Sequence, residues 1–187
     1  MHWVESGDDA PPGSDGNLNT IPPYIQQVAN VFGEVIQREH GDLDWIEPIS
    51  DEALGGCTWD GKQGRTDVYL KDLGKLGLYG YAAPDAGQGD TQHPYAFLVM
   101  DDDYAEYGYD DPMDPLEVTA AHEYNHVLQY AYDVLQDKWM FESTATWMEE
   151  KVFPDVDDYH QYVGPWAQLS AMPITRFDRA NGDKVYG

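Results

Sequence analysis

An α+β fold is predicted by three features of this 187-residue chain. An apolar series at helical spacing lies near the N-terminus, short strand-like runs occupy the middle, and the second half reads as helix. These are segregated elements, unlike the regular strand–helix alternation of a parallel α/β fold. The length fits one domain and suffices to bury a core without disulfides or a structural metal.

In chain order, His2 to Val4 reads as a short strand and Glu5 to Asn19, rich in Asp, Gly and Pro, as loop. Thr20 is placed to cap a helix whose first turn accommodates Pro22 and Pro23. Tyr24, Ile25, Val28, Phe32, Val35 and Ile36 then recur at helical spacing until Gly41, so this helix is expected to support a sheet. Gly55 to Gly64 is turn-rich. Asp67 to Leu70 and Leu78 to Ala82 read as short strands, and Tyr95 to Met100 is the clearest strand of the chain.

The stretch from Asp101 to Asp114 carries seven carboxylates and reads as a solvated loop. Calcium is the ion such a loop would take through oxygen ligands, although the spacing of an EF-hand is absent. Next, Asp114-Pro115-Leu116-Glu117 offers a capping box, predicting helix from Leu116 to about Tyr132. Asp137 is placed to cap a second helix from Lys138 to Phe153, ended by Pro154. Tyr159 to Val163 is expected to form a helical turn, and Ala180 to Gly187 looks polar and frayed. One domain is thus expected over residues 1–187. Its N-terminal part, 1–133, includes the first of the two late helices, and its helical C-terminal part covers 134–187.

The charge balance narrows the partners. With 35 acidic against 10 basic residues and a formal charge of -25, a polyphosphate or an anionic membrane would be repelled. Nucleic acid and membrane insertion are therefore excluded as expectations, while 13% aromatic residues mark a folded rather than a disordered acidic chain. Such a composition fits an exported protein or a salty environment, so secretion or a cell-surface location is expected. No signal peptide opens the sequence, and an exported natural form would be longer than this chain. The single Cys57 is expected to be a buried apolar residue.

Chemistry concentrates in His122-Glu123-Tyr124-Asn125-His126. Residues four apart share one helix face, so His122 and His126 can aim imidazole nitrogens at one point, a donor pair suited to Zn²⁺. Glu123 sits beside His122, too far round the helix to ligate easily, and is placed to take a proton from a water that the metal activates. A third ligand histidine six residues after His126 is absent, since Tyr132 stands there and Gln129 stands where glycine would precede it. The candidates are instead Glu142, Glu149 and Glu150 on the next helix, which share a face with Thr146. A short Asp133 to Gln136 connection favours Glu142 near the helix start, with Glu149 or Thr146 orienting a histidine.

With Trp139 to Glu149 (WMFESTATWME), this motif resembles the gluzincin metallopeptidases, the clan of thermolysin and the hyicolysin-like enzymes. It looks closest to a family of secreted bacterial and archaeal metalloproteases, over about Asp67 to Asp158. The resemblance implies a zincin-like fold, one zinc ion held by His122, His126 and Glu142, Glu123 as general base, and a peptide or protein substrate pairing with the edge of the Tyr95 to Met100 strand. Thermolysin-like members carry Asp four residues after the ligand glutamate, where this chain has Thr146, so orienting His122 falls to another acid. The clan also takes an oxyanion-stabilising Tyr or His from its C-terminal part; Tyr159, His160 and Tyr162 are the candidates. The expectation is a zinc metalloendopeptidase. The alternative is a non-catalytic zinc-binding or adhesion module on a peptidase fold, suggested by the short C-terminal part.

Overall fold

The structure is a computed structural model that describes residues 1–50, 66–89, 91–176 and 185–186. The turn-rich stretch Gly55 to Gly64, with Cys57, lies outside the described residues. The element order is α1 (Pro23–Ile36), a π-helical turn (Gln37–Asp42), β1 (Val68–Lys71), β2 (Gly80–Gly89), β3 (Pro94–Asp101), α2 (Met113–Asp133), α3 (Lys138–Val152) and α4 (His160–Gln168), with short 3₁₀ turns between β1 and β2 and after β3. This is an α+β arrangement.

The sheet has three strands in the order β1-β3-β2. β1 runs parallel to β3, with Lys71 opposite Asp101, and β2 runs antiparallel to β3, with Ala82 opposite Leu98. The Tyr95 to Met100 strand is therefore central, and both of its edges are taken. A peptide cannot add to it, which corrects the expectation that its edge binds substrate. The strand is apolar because it is covered from several directions; Leu98 and Met100 are fully buried. His2 makes a single bridge to Tyr69 beside β1, so the expected first strand is reduced to one residue pair. The outer edge of β2 faces α2.

That approach of β2 to α2 is close. A Cβ on Gly80 would stand 2.8 Å from Thr119 Cγ2 and 3.3 Å from Glu123 Cγ, so only glycine lets the start of β2 lie against the helix. α2 begins at Met113, three residues before the expected start at Leu116. The expected capping box does not form, because Asp114 is already inside the first turn. Asp111 supplies the start instead, its Oδ1 accepting from the Met113 N–H at 2.9 Å, and Pro115 still falls in the first turn, where its missing donor costs nothing. Thr20 likewise caps nothing in α1. Its hydroxyl donates to Asp15 and to the Asn17 carbonyl, and Pro22 occupies the cap position. The helix over Lys138 to Val152 starts after Asp137 as expected, although the Asp137 side chain makes no capping bond.

α1 packs its apolar face, Ile25, Val28, Phe32 and Val35, into a core shared with Leu116, Ala120, Tyr124 and Leu128 of α2. Beyond Ile36 it widens into the π-helical turn, a form common near functional sites. The turn grips the back of α2: His40 Nε2 lies 2.8 Å from the Tyr124 hydroxyl, and Asn125 Nδ2 donates to Glu39 Oε2 at 3.1 Å. Glu39 and Asn125 are both 0% exposed, and each leaves one buried oxygen without a donor, Glu39 Oε1 and Asn125 Oδ1.

Burial pushes the Glu39 carboxyl up to about 8, against the opposing pull of the Asn125 amide and His122. A carboxyl raised on folding holds its proton more tightly in the native state. Its contribution to stability is therefore complete below the ordinary value of 4.5 and lost as pH rises towards 8. Glu39→Gln keeps the hydrogen-bonding shape without the titration. Urea melts should show the variant more stable than the parent at pH 8, by about 2 kcal/mol or more, with the difference closing below pH 5. A pH-independent difference would show that Glu39 is not held protonated.

Candidate metal centre

The late helices α2 and α3 are joined by the short connection 134–137 and pack so that earlier residues of α2 meet later residues of α3. His122 and His126, one turn apart on α2, face Glu142 on α3 with Nε2 to Oε2 distances of 3.4 Å and 3.7 Å. Their three ligand atoms all lie within 4.8 Å of one another, a group able to hold a metal ion.

The other nitrogen of each ring is fixed. His122 Nδ1 donates to Glu149 Oε1 at 2.6 Å, and His126 Nδ1 lies 2.7 Å from Gln129 Oε1. The orientation of the Gln129 amide follows from its far side, where Nε2 donates at 3.0 Å to the Phe141 carbonyl, which can only accept. Gln129 Oε1 is thus the end facing His126 and must accept from it. Both neutral imidazoles then carry hydrogen on Nδ1 and present the Nε2 lone pair to the same side as Glu142. Thr144 supports this arrangement by accepting from Gln129 while donating to the Met140 carbonyl at 2.7 Å.

The structure therefore separates the three glutamates left open by spacing. Glu142 stands with the histidines, Glu149 orients His122 from behind, and Glu150, one residue further round α3, is outside the group. Thr146 is not an orienting partner: its Oγ1 is buried without a hydrogen bond. Gln129, which spacing marked only as a departure from a motif, is the partner of His126. An i, i+3 relation on one helix is the signal that would have found it.

Glu123 lines the same cleft and is held away from the three ligands by the Ala82 N–H, which donates to its Oε2 at 2.8 Å. The Tyr130 hydroxyl reaches the Ala82 carbonyl at 3.4 Å. Both polar groups of Ala82 on the outer edge of β2 thus point at the site. The cleft, about 190 Å³, is further walled by Leu78, Tyr79, Thr119, Tyr162 and Tyr186.

Of the Ala180 to Gly187 stretch expected to be frayed, the described residues Val185 and Tyr186 are packed against the body. Val185 is 2% exposed, and the Tyr186 ring lies 6.0 Å from His122, within the field of the Glu142 carboxylate. Of the aromatic candidates from sequence, Tyr162 lines the cleft and packs on Tyr186 at 5.2 Å. Tyr159 and His160 pair with each other instead, and His160 is exposed beside Asp157. α4 runs from His160 to Gln168, longer than the expected turn from Tyr159 to Val163.

The electrostatics follow from packing two imidazoles among carboxylates. Burial lowers the His122 pKa, but bonds to Glu142 and Glu149 outweigh it and hold His122 well above its ordinary value. Burial raises Glu142, and the two histidines more than reverse this, leaving its carboxyl far below the usual range. Burial and the carboxylates of Glu123 and Glu142 push the Tyr130 phenol up to about 12. Without a metal ion His122 therefore holds a proton beside the Glu142 carboxylate, while burial pushes the neighbouring Glu149 carboxyl up against the pull of His122; a dication would replace this proton.

No protein-family model, no curated protein and no solved structure matches this chain.

Since only neutral imidazole ligates, a metal entering this site must expel the proton that His122 holds. Calorimetric titration of Zn²⁺ at pH 7 in buffers of different ionisation enthalpy should show release of about one proton per ion. Zero release would contradict ligation through His122. Glu149→Ala and Gln129→Ala should each weaken Zn²⁺ binding by roughly 10- to 100-fold while leaving the protein folded, because each removes the group that orients a ring.

Proposed function

We propose that this chain is a zinc-dependent peptidase that hydrolyses peptide bonds. The observation that carries the reading is the convergence of His122 Nε2, His126 Nε2 and the Glu142 carboxylate, with Glu123 lining the same cleft. Two neutral imidazoles and one carboxylate form a catalytic zinc donor set that leaves a fourth position open. Ligand atoms about 2.0–2.1 Å from a tetrahedral ion stand roughly 3.3–3.4 Å apart. The observed 3.4 Å and 3.7 Å fit that spacing. A zinc ion held there supplies a Lewis acid that polarises a carbonyl and acidifies water.

The chain's own residues account for the remaining needs of hydrolysis. Glu123 accepts the proton of the attacking water and passes it to the leaving amine, a general base that becomes a general acid. The Ala82 N–H and carbonyl, turned outward from the edge of β2, offer an extended peptide the hydrogen bonds of one more strand. Glu123 and Tyr130 occupy these groups in the free protein, so a bound peptide would displace both and free the Glu123 carboxylate for its water. Tyr186, beside His122 and near the Glu142 carboxylate, is placed to donate to the oxygen that gains charge as the carbonyl is attacked. Its phenol is pushed up by burial and by the Glu142 carboxylate, so it keeps its proton and can donate at working pH.

This assignment agrees with the gluzincin resemblance of the motif and moves the peptide-binding edge from β3 to β2. The reading as a non-catalytic zinc module draws on the short C-terminal part; the position of Tyr186 beside His122 supports the catalytic reading instead. An acidic chain acting on peptides outside the cell is the location this function suits.

Glu123→Gln should bind zinc with parent stoichiometry and lose at least about 100-fold in kcat on casein or a quenched peptide. Cleavage at the parent rate by this variant would end the proposal. Tyr186→Phe should lower kcat by about 100-fold with KM little changed, since the lost hydrogen bond forms only as charge develops. A pure KM effect would place Tyr186 in substrate binding instead.

A further inference from the structure

A cluster of three carboxylates lies where two strands leave the sheet. β1 and β3 are parallel neighbours with Lys71 opposite Asp101, so both chains leave the sheet at the same end. The residues at this exit are Asp72 on one side and Asp101 and Asp102 on the other, and one oxygen from each lies within 4.8 Å of the others. These are not solvated surface acids: Asp101 is 0% exposed, Asp102 is 5% exposed, and the Asp72 side chain is 11% exposed.

The three carboxylates differ in what holds them. Asp101 is fixed by the backbone, with Oδ2 accepting from Leu73 at 2.8 Å and Oδ1 from Asp103 at 3.1 Å and Tyr104 at 2.7 Å. Asp72 Oδ2 takes the Lys75 ammonium at 2.6 Å, but its Oδ1 is buried without a donor. Among the described residues, no other residue donates a hydrogen bond to the buried Asp102 carboxylate.

The basic groups nearby do not balance this charge. Lys75 is shared with Asp8 at 3.0 Å, Lys71 acts on Asp72 only through its field, and Asp103 adds a fourth carboxylate. Tyr24, whose hydroxyl meets the Asp101 carbonyl at 3.5 Å, is the neutral group on the α1 side. Burying like charges together with too few donors to balance them is costly, and a bound cation removes that cost.

We propose that Asp72, Asp101 and Asp102 hold a calcium-class divalent cation at the shared exit of β1 and β3. The donors are all oxygen, with no histidine or thiol, which selects a hard ion. Three carboxylates from two separate segments, completed by water, suit the adaptable shell of Ca²⁺ better than the rigid octahedron of Mg²⁺. The site differs from the loop reading of the sequence, because it takes Asp72 from outside the acidic run and leaves Asp110, Asp111 and Asp114 unused. Burial and the carboxylates of Asp101, Asp103 and Asp72 push Asp102 up to about 7 without a cation, consistent with unbalanced negative charge. The ion would fasten the turn into Tyr104 and Tyr107; Tyr107 stacks at 3.9 Å on Tyr79, a wall of the catalytic cleft.

The test is thermal unfolding of chelator-treated protein with zinc buffered at a constant level, with and without Ca²⁺. Saturating Ca²⁺ should raise Tm by about 5 °C or more, and Mg²⁺ by much less. The shift should vanish in Asp102→Asn and persist in Asp110→Asn. Without calcium, Asp102→Asn should melt at or above the parent, because it sheds a buried repulsion. No shift in the parent, or an equal shift in Asp102→Asn from general screening of an acidic surface, would overturn the site. Terbium luminescence excited through tyrosine and displaced by Ca²⁺ probes the same site in the unmutated chain, and its absence counts against the site.

Discussion

The division of labour within each imidazole is the constraint on which the centre depends. A histidine can present a lone pair at Nε2 only if Nδ1 carries the hydrogen, and each Nδ1 here has a fixed acceptor, Glu149 for His122 and Gln129 for His126. Both acceptors are held by packing: Glu149 sits on the buried face of α3, and the Gln129 amide is locked by the Phe141 carbonyl. The α2–α3 pair is therefore a preorganised donor set whose third member, Glu142, comes from the same helix as Glu149. Seven residues separate these two glutamates, about two helical turns, so one face of α3 both completes the set and orients it.

The other elements make sense as supports for this pair. The π-helical turn after α1 holds α2 from behind through His40 and Glu39, which bond the two residues between Glu123 and His126. β2 lies against the front of α2 because Gly80 has no side chain, and its edge amide restrains Glu123. The second carboxylate cluster, at the exit of β1 and β3, belongs to the same frame, since the turn it governs carries the tyrosines that back the cleft. The excess of acids over bases is thus partly internal, with Glu39, Asp101, Asp102, Glu123 and Glu149 all buried.

Much of the centre was legible in sequence because its parts are local. The His122 and His126 spacing, the neighbouring Glu123 and the early glutamate of the next helix all follow from helical periodicity and a short connection. Three things were not legible, each for a physical reason. The capping box failed because Asp111 sits closer to the first free amides than Asp114 does, and two competing Asp-Pro signals cannot be ranked by spacing alone. The central place of β3 is a matter of strand order, which an apolar run does not encode. Tyr186 lies among Gly, Asn and Asp residues that read as frayed, and only the burial of Val185 against the body brings it to His122.

The central claim is that His122, His126 and Glu142 hold one zinc ion. A crystal of zinc-loaded protein measured on both sides of the zinc absorption edge tests it most directly. The account predicts one strong anomalous peak bonded to His122 Nε2, His126 Nε2 and a Glu142 oxygen, with Glu149 still on His122 Nδ1. No peak between these three residues, or a peak ligated by Glu149 in place of Glu142, would contradict it.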